Sequence, residues 1–418
     1  MQPQDTPAPA PVGTGETSVR LRRVLGMPML IFYGVGVTIG AGIFALIGEI
    51  VRVAGDSAPL AFLVAGLTAG ATGISYALLS AVYPRAGGEA VYVNIGLGRV
   101  PALIVGYGVV ITAIISSAVI SIAFSGYLGS LVPVARPILV IGVLLILSSI
   151  ACLGVRESVT FAAIVTLLEV GTLVVVAFYG APLLGDAQIW TRTLALPADS
   201  LAWSAVFSSA VIAFFAFVGF EDLVNMAEET INPGDVMPRA IVATVVITVI
   251  LYVLIATIAV AMPDREALTS SAAPLAVLFE SVTGYSGTPV SAMASIAMIN
   301  GILVQIVMAS RVIYGMSSEG LAPKVVGVLH SKRRTPIRAI LLVTICIGTL
   351  ALGFELVNLA QATSLVILSV FIMVNLALWR IGSQPGADHS LHRWRYWGVL
   401  GAALSAGLLG VEVIRLLS

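Results

Sequence analysis

From Met27 to Ile50 the chain runs almost entirely apolar for long enough to cross a bilayer, yet Gly34, Gly36, Gly40 and Gly42 fall close together inside that run. Each glycine costs roughly 0.5–1 kcal/mol against alanine in a helix interior, so the helix is expected to unwind between Thr38 and Ile43. Unwound backbone at membrane depth is tolerated only where it lines a cavity. There it offers free N–H groups and a half-helix N-terminus, which suit an anionic group such as a carboxylate. Close helix packing through small residues is the competing explanation for one glycine-rich span.

Apolar runs recur along the whole chain, near 27–50, 58–83, 100–131, 137–154, 160–184, 203–226, 238–262, 288–315, 337–354, 356–379 and 396–416. With 59% hydrophobic and only 10% charged residues over 418 positions, no soluble domain could hide this surface. The expectation is an all-α polytopic membrane protein of about eleven spans, embedded in a lipid bilayer. The polar, Pro- and Thr-rich start lacks the apolar core of a signal peptide, so residues 1–24 are expected to form a disordered tail and the first span to be retained. Most Lys and Arg, including Arg20, Arg22, Arg23, Lys332, Arg333, Arg334, Arg393 and Arg395, lie on one side if the N-terminus is cytoplasmic. That bias predicts an N-in, multi-pass protein of the cytoplasmic membrane, with the C-terminus outside. Cys152 and Cys346 lie in or beside apolar runs, so neither a disulfide nor a metal site is expected, and no cofactor is implied. Nothing in the neutral charge balance points to nucleic acid.

A second interruption falls in the span that starts near Ser204, at Phe217-Val218-Gly219-Phe220, with Glu221 and Asp222 immediately after it. Carboxylates at that depth are expensive unless they face water or a partner. The apolar pattern resumes at Leu223 and stops only at Asn232-Pro233-Gly234, so the break lies inside a span. Two broken helices, each opening a run of about five spans, form the pattern of an inverted-repeat transporter with its site where the breaks meet. The predicted repeats are 25–190 and 200–380, with one additional helix in 381–418. Two loops, Arg85 to Arg99 and Asp264 to Gly284, mix apolar and polar residues over lengths too short to span and suit interfacial helices.

Four stretches carry a family resemblance: IGAGIF at 39–44, YPRAGGEAVYV at 83–93, FAFVGFEDLVNMAEETINPGDVMPRAI at 215–241 and RVIYGMSSEGLAPKVVGVLHSKRRTPIRAI at 311–340. In this order they resemble the amino acid–polyamine–organocation transporters. The resemblance implies a LeuT-like 5+5 inverted repeat with helices 1 and 6 broken, and transport of an amino acid or related amine, often coupled to protons. By position it implies that the backbone of Thr38, Ile39, Gly40, Ala41, Gly42 and Ile43 receives the substrate carboxylate. The carbonyls around Phe215, Ala216, Phe217 and Gly219 would take the amino group, and Phe217 and Phe220 would cover the side chain, with plain packing of the two rings as the alternative; Glu221 would serve a cationic substrate, but the family pattern commonly has an acid there whatever the substrate, so it does not discriminate.

The chain departs from that pattern twice. Some proton-coupled relatives carry a lysine on the fifth span, where alignment of VRESVTFAAIVTLLEV at 155–170 puts Glu169. A lone carboxyl deep in an apolar span is a candidate proton carrier, and the alternative is a permanently protonated group held by a backbone carbonyl. One helix, rather than the usual two, follows the tenth span.

Charged residues near the inner ends of spans, namely Arg85, Glu89, Glu228, Glu229, Arg239 and Arg311, are candidate gate residues, with plain anchoring as the alternative. The resulting expectation is a proton-coupled secondary transporter working by alternating access. An exchanger without net proton movement is the alternative, and a membrane sensor or channel a distant one. A channel would want a repeated pore element, a sensor a soluble output domain, and an enzyme a recognisable nucleophile–base pair. None of these is visible.

Overall fold

The computed structural model describes residues 23–84, 87–154, 159–193, 195–318, 322–330, 333 and 335–417. The chain is all-helical, and the sheet-like pairing among these residues is one parallel bridge between Leu25 and Thr230. In order, the helices are α1 (Met27–Ile39), α2 (Gly42–Ala54), α3 (Ala58–Val82), α4 (Gly88–Leu97), α5 (Arg99–Gly129), α6 (Arg136–Leu153), α7 (Val159–Gly180) and α8 (Ala187–Thr193). There follow α9 (Ser200–Phe214), α10 (Pro233–Ala261), α11 (Arg265–Ser270), α12 (Pro274–Thr283), α13 (Thr288–Ser318), α14 (Ile337–Gly353), α15 (Leu356–Gly382) and α16 (His389–Leu417).

Nine helical stretches among the described residues are long and apolar enough to cross a membrane. The first, Gly42–Val82, joins the second half of one expected crossing to the whole of the next, because α2 turns into α3 through a single 3-10 turn at Gly55–Ser57. α1 has 13 residues and rises only about 20 Å, so it needs α2 to complete a crossing of roughly 30 Å. With α1 joined to α2, and the shorter α14, every apolar run read from the sequence is helical. The protein is a multi-pass membrane protein.

Both interruptions are present. α1 stops at Ile39, Gly40 takes φ 31° and ψ −138°, and α2 starts at Gly42. This break is narrower than the glycine spacing predicts. Gly34 and Gly36 stay helical because they serve as close contacts: an added Cβ would stand 2.6 Å from Thr244 Oγ1 at Gly34 and 2.0 Å from Thr166 Oγ1 at Gly36. The second break follows α9, where a 3-10 turn at Phe215–Phe217 leads into extended Val218 and then Gly219 at φ 127°. Only glycine adopts that angle cheaply. Beyond it, Phe220–Glu229 continues as a 3-10 helix rather than an α-helix.

Packing brings the two breaks face to face. α10 lies against α1 and α3, α9 against α2 and α3, and α5 against α13 and α15. α16 covers α15, α3 and α9. A buried polar cluster ties α3 to α15: Ser75 donates to Asn375 Oδ1 at 2.6 Å, and the Asn375 amide donates to Thr72 at 2.9 Å. The two loops read as helical form α4, α11 and α12. Arg265 at the start of α11 pairs with Asp56 at 2.8 Å, which fastens this loop to the α2–α3 turn.

Candidate functional site

The breaks touch backbone to backbone. A Cβ added to Gly42 would lie 2.5 Å from Ala216 Cα, and one added to Gly219 would lie 2.8 Å from the Val37 carbonyl oxygen. The hydroxyl of Tyr252, on α10, donates to the Ala216 carbonyl at 2.8 Å and stands 3.1 Å from the Thr38 carbonyl and 3.4 Å from that of Ile39. One phenol thus covers carbonyls that both interrupted helices leave without helical partners.

Beside this crossing is a cavity of about 400 Å³, within the size range of small-molecule sites. Thr38, Gly40, Ala41 and Gly42 form one wall, and Phe215, Val218, Gly219, Glu221 and Asp222 another. α2 begins at Gly42, so its first N–H groups have no carbonyl within the helix and carry the positive end of its dipole. An anionic group fits there. The Glu221 carboxylate accepts from the Gly219 N–H at 2.8 Å, which holds it across the second break. Glu169 enters from α7, is 4% exposed, and lines the same cavity.

Of the other residues named from the sequence, some are packed away from the cavity and two reach it. Ile39, Ile43 and Ala216 are fully buried in the protein. Phe217 and Phe220 are fully buried too: the Phe217 ring packs 5.1 Å from that of Tyr252, and Phe220 packs 5.4 Å from Phe371 and 5.9 Å from Tyr76. Glu89, on α4, reaches the cavity and is 6% exposed. Burial pushes its carboxyl up to about 7, with nearby Asp222 adding to the rise. Glu229 also lines the cavity, and its carbonyl accepts from the N–H groups of Val24 and Leu25, which latch the start of the chain to the second broken helix. Glu228, Arg239 and Arg311 are exposed, and Arg85 lies outside the described residues.

Several wall residues escape a reading by sequence. Thr112 and Ser116 on α5, Thr166 on α7, and Asn300 and Gln305 on α13 all line the cavity. Polar Asn300 and Gln305 inside an apolar span were the available signal. Thr112 is 6% exposed, and neither its hydroxyl nor the Gln305 side-chain oxygen has a hydrogen-bond partner. Among the described residues no group of His, Cys, Asp and Glu is arranged to hold a metal ion.

At the other end of α2 a second cavity, of about 580 Å³, is lined by Glu49, Ser125, Arg136 and Thr269. Tyr127, fully buried next to Gly126 of that second cavity's wall, ties three helices together. Its hydroxyl donates to the Phe44 carbonyl at 2.7 Å and accepts from the Leu275 N–H at 3.1 Å, joining α5 to α2 and α12.

The family model described as amino acid permease matches residues 25–414. A branched-chain amino acid permease of Bacillus subtilis is 29% identical over 392 residues, covering 87% of this chain and 82% of the relative. An uncharacterized transporter of Mycobacterium tuberculosis is 29% identical over 375 residues, covering 89% of this chain and 83% of its own. Cationic amino acid transporter 4 of Homo sapiens is 28% identical over 403 residues, which is 90% of this chain and 62% of that longer protein.

Proposed function

The chain belongs to the amino acid permease family, a family of transporters and not of enzymes, and from that premise we propose that it moves amino acids by proton-coupled alternating access. The observation that carries this reading is the cavity at the meeting of the two breaks. Its Ala41–Gly42 wall, at the start of α2, offers N–H groups for a substrate carboxylate, and its Gly219–Asp222 wall offers oxygen atoms for an ammonium. In this reading residues 25–190 and 200–380 are two five-helix repeats, the N-terminus is cytoplasmic, and the protein resides in the cytoplasmic membrane.

Glu169 is the proton carrier in this account. It sits on α7, which packs against α1 just below the first break, where the Thr166 side chain fills the space beside Gly36. A carboxyl facing substrate can load a proton from one side and release it to the other as α1 moves. The latch between Leu25 and Glu229 and the bonds of Tyr127 hold the two ends of the pathway. Alternating access requires that they open in turn.

The test is uptake of labelled amino acid into liposomes holding the purified protein, with and without an inward proton gradient. The gradient is expected to raise initial uptake, and Glu169→Gln is expected to abolish that rise while substrate-for-substrate exchange persists. Gradient-driven uptake retained in Glu169→Gln removes the carboxyl from the coupling role. Exchange without any gradient response in the wild type makes the protein an exchanger.

A further inference from the structure

The turn between α15 and α16 gathers basic and aromatic side chains outside the central cavity. Between Glu355 and Glu412 the chain holds one acidic residue, Asp388, against Arg380, Arg393, Arg395, His389 and His392. Asp388 is taken by the start of α16, where its carboxylate accepts from the N–H of Ser390 at 2.8 Å and from the Ser390 hydroxyl. The ion pairs among the described residues are Arg52–Glu49, Arg265–Asp56 and Arg415–Glu412, and none involves an arginine of this turn. Three guanidiniums thus stand where two membrane-crossing helices meet, with no carboxylate pairing any of them.

The structure holds these groups in place. A Cβ added to Gly382 would lie 2.9 Å from Arg395 Cβ, so the last turn of α15, which carries Arg380, touches the first turns of α16. His392 donates its Nδ1–H to the Gly382 carbonyl at 3.0 Å, which leaves Nε2 to accept from Arg395 at 2.9 Å. Arg395 also lies 4.8 Å over the Tyr396 ring, and Arg393 lies 5.8 Å over that of Trp394. Trp394 meets Trp397 edge-on, and the Trp397 indole N–H donates to the Ala71 carbonyl at 2.9 Å, fixing this platform to α3. Arg393, Tyr396, Leu400 and Leu404 follow one another at helical spacing on one face of α16, and all four are exposed. A cation, an aromatic ring and then leucines, in that order into the span, match the phosphate, interfacial level and acyl chain of a lipid.

From this placement we propose that the α15–α16 turn is a headgroup site for an anionic phospholipid of the surrounding bilayer. Arg393 and Arg395 present planar forks to the phosphate, and Arg380 adds its charge from α15. One acyl chain runs along Tyr396, Leu400 and Leu404. A zwitterionic lipid carries the same phosphate together with its own cation, which three uncompensated arginines disfavour, so the site selects a headgroup of net negative charge.

The experiment follows the Tm of the purified full chain in detergent as phosphatidylglycerol, phosphatidylcholine of the same acyl chains, or inorganic phosphate is titrated in. Phosphatidylglycerol is expected to raise Tm saturably, and the other two are not. Replacing both Arg393→Gln and Arg395→Gln is expected to raise the phosphatidylglycerol concentration for half of that rise about tenfold or more, and Arg380→Gln to raise it several-fold, with Tm in phosphatidylcholine unchanged. If the double variant fails to fold, Arg380→Gln and the wild-type comparison of the two lipids decide. Equal stabilisation by both lipids, or an undiminished phosphatidylglycerol response in the folded variants, overturns the site. Stabilisation by inorganic phosphate matching that by phosphatidylglycerol makes this a site for free anions and overturns the lipid.

Discussion

A Cβ added to Gly42 would lie 2.5 Å from the Ala216 Cα, so the two interrupted helices meet with no side chain between them. The relationship sets the geometry of the site. It brings the start of α2 and the end of α9 to one cavity, and nothing larger than glycine at 42 preserves it.

Gly219 tests the second break. Its φ of 127° and its approach to the Val37 carbonyl both disfavour a side chain, so Gly219→Ala is expected to cost about 1–3 kcal/mol of stability. Gly407→Ala, where an added Cβ meets nothing within 4 Å, is expected to be neutral or slightly stabilising as a helix substitution. Melting of the two variants in the same detergent checks the contrast, and equal losses would contradict it.

Tyr252→Phe removes the hydroxyl that donates to the Ala216 carbonyl but keeps the ring, which packs 5.6 Å from Phe62 and 5.1 Å from Phe217. Leaving a buried carbonyl unanswered is expected to cost roughly 1–3 kcal/mol, with a parallel loss of uptake because both breaks loosen. Unchanged melting and uptake would show that the hydroxyl supports neither.

Glu89 gives a pH dependence. Its carboxyl is held up to about 7, above the ordinary 4.5, chiefly by burial. The folded state therefore binds the proton more tightly than the unfolded chain, and stability is lost as pH rises from about 4.5 to about 7. Glu89→Gln, which stays neutral, is expected to match the wild type at and below about pH 4.5, to exceed it increasingly up to about pH 7, and to keep a constant lead above that. Melting across that range checks this, and a difference between the two proteins that stays constant from about pH 4.5 to about 7 would refute it.

Tyr127 ties α5 to α2 and α12, and in the transport reading this tie is the closure of the central cavity toward the α11–α12 end. Removing its hydroxyl in Tyr127→Phe breaks the bonds to Phe44 and Leu275, leaving the edge-on packing against the Phe44 ring at 6.4 Å. A cysteine introduced at Ser116, on the central cavity wall, is expected to label several-fold faster with a membrane-impermeant thiol reagent in this variant. An unchanged labelling rate would assign the closure to other contacts.

The framework was legible because membrane physics writes it plainly. Apolar runs marked every crossing, and Gly40, Gly42 and Gly219 marked both breaks, since few other sequences interrupt a buried helix at tolerable cost. The cavity wall was less legible. Thr112 and Gln305 are single polar residues within long apolar spans, and only the packing of α5 against α13 reveals that they share a cavity. Phe217 and Phe220 show the converse, because aromatic spacing beside a break does not distinguish a ring that faces substrate from one that packs on Tyr252 or Phe371. Tyr252 carried no motif at all. Its part arises from the place where α10 passes the two breaks.

The most direct test of the central claim is the ligand-induced stabilisation of the purified protein by amino acids, measured for the wild type and for Gly42→Val. At about 100 times its dissociation constant, a substrate is expected to stabilise the wild type by roughly 2.7 kcal/mol, seen as a raised Tm. Gly42→Val, which forces the breaks apart, is expected to fold and to lose that stabilisation. A full ligand response in Gly42→Val, or none from any amino acid in the wild type, would contradict a substrate site at the meeting of the two broken helices.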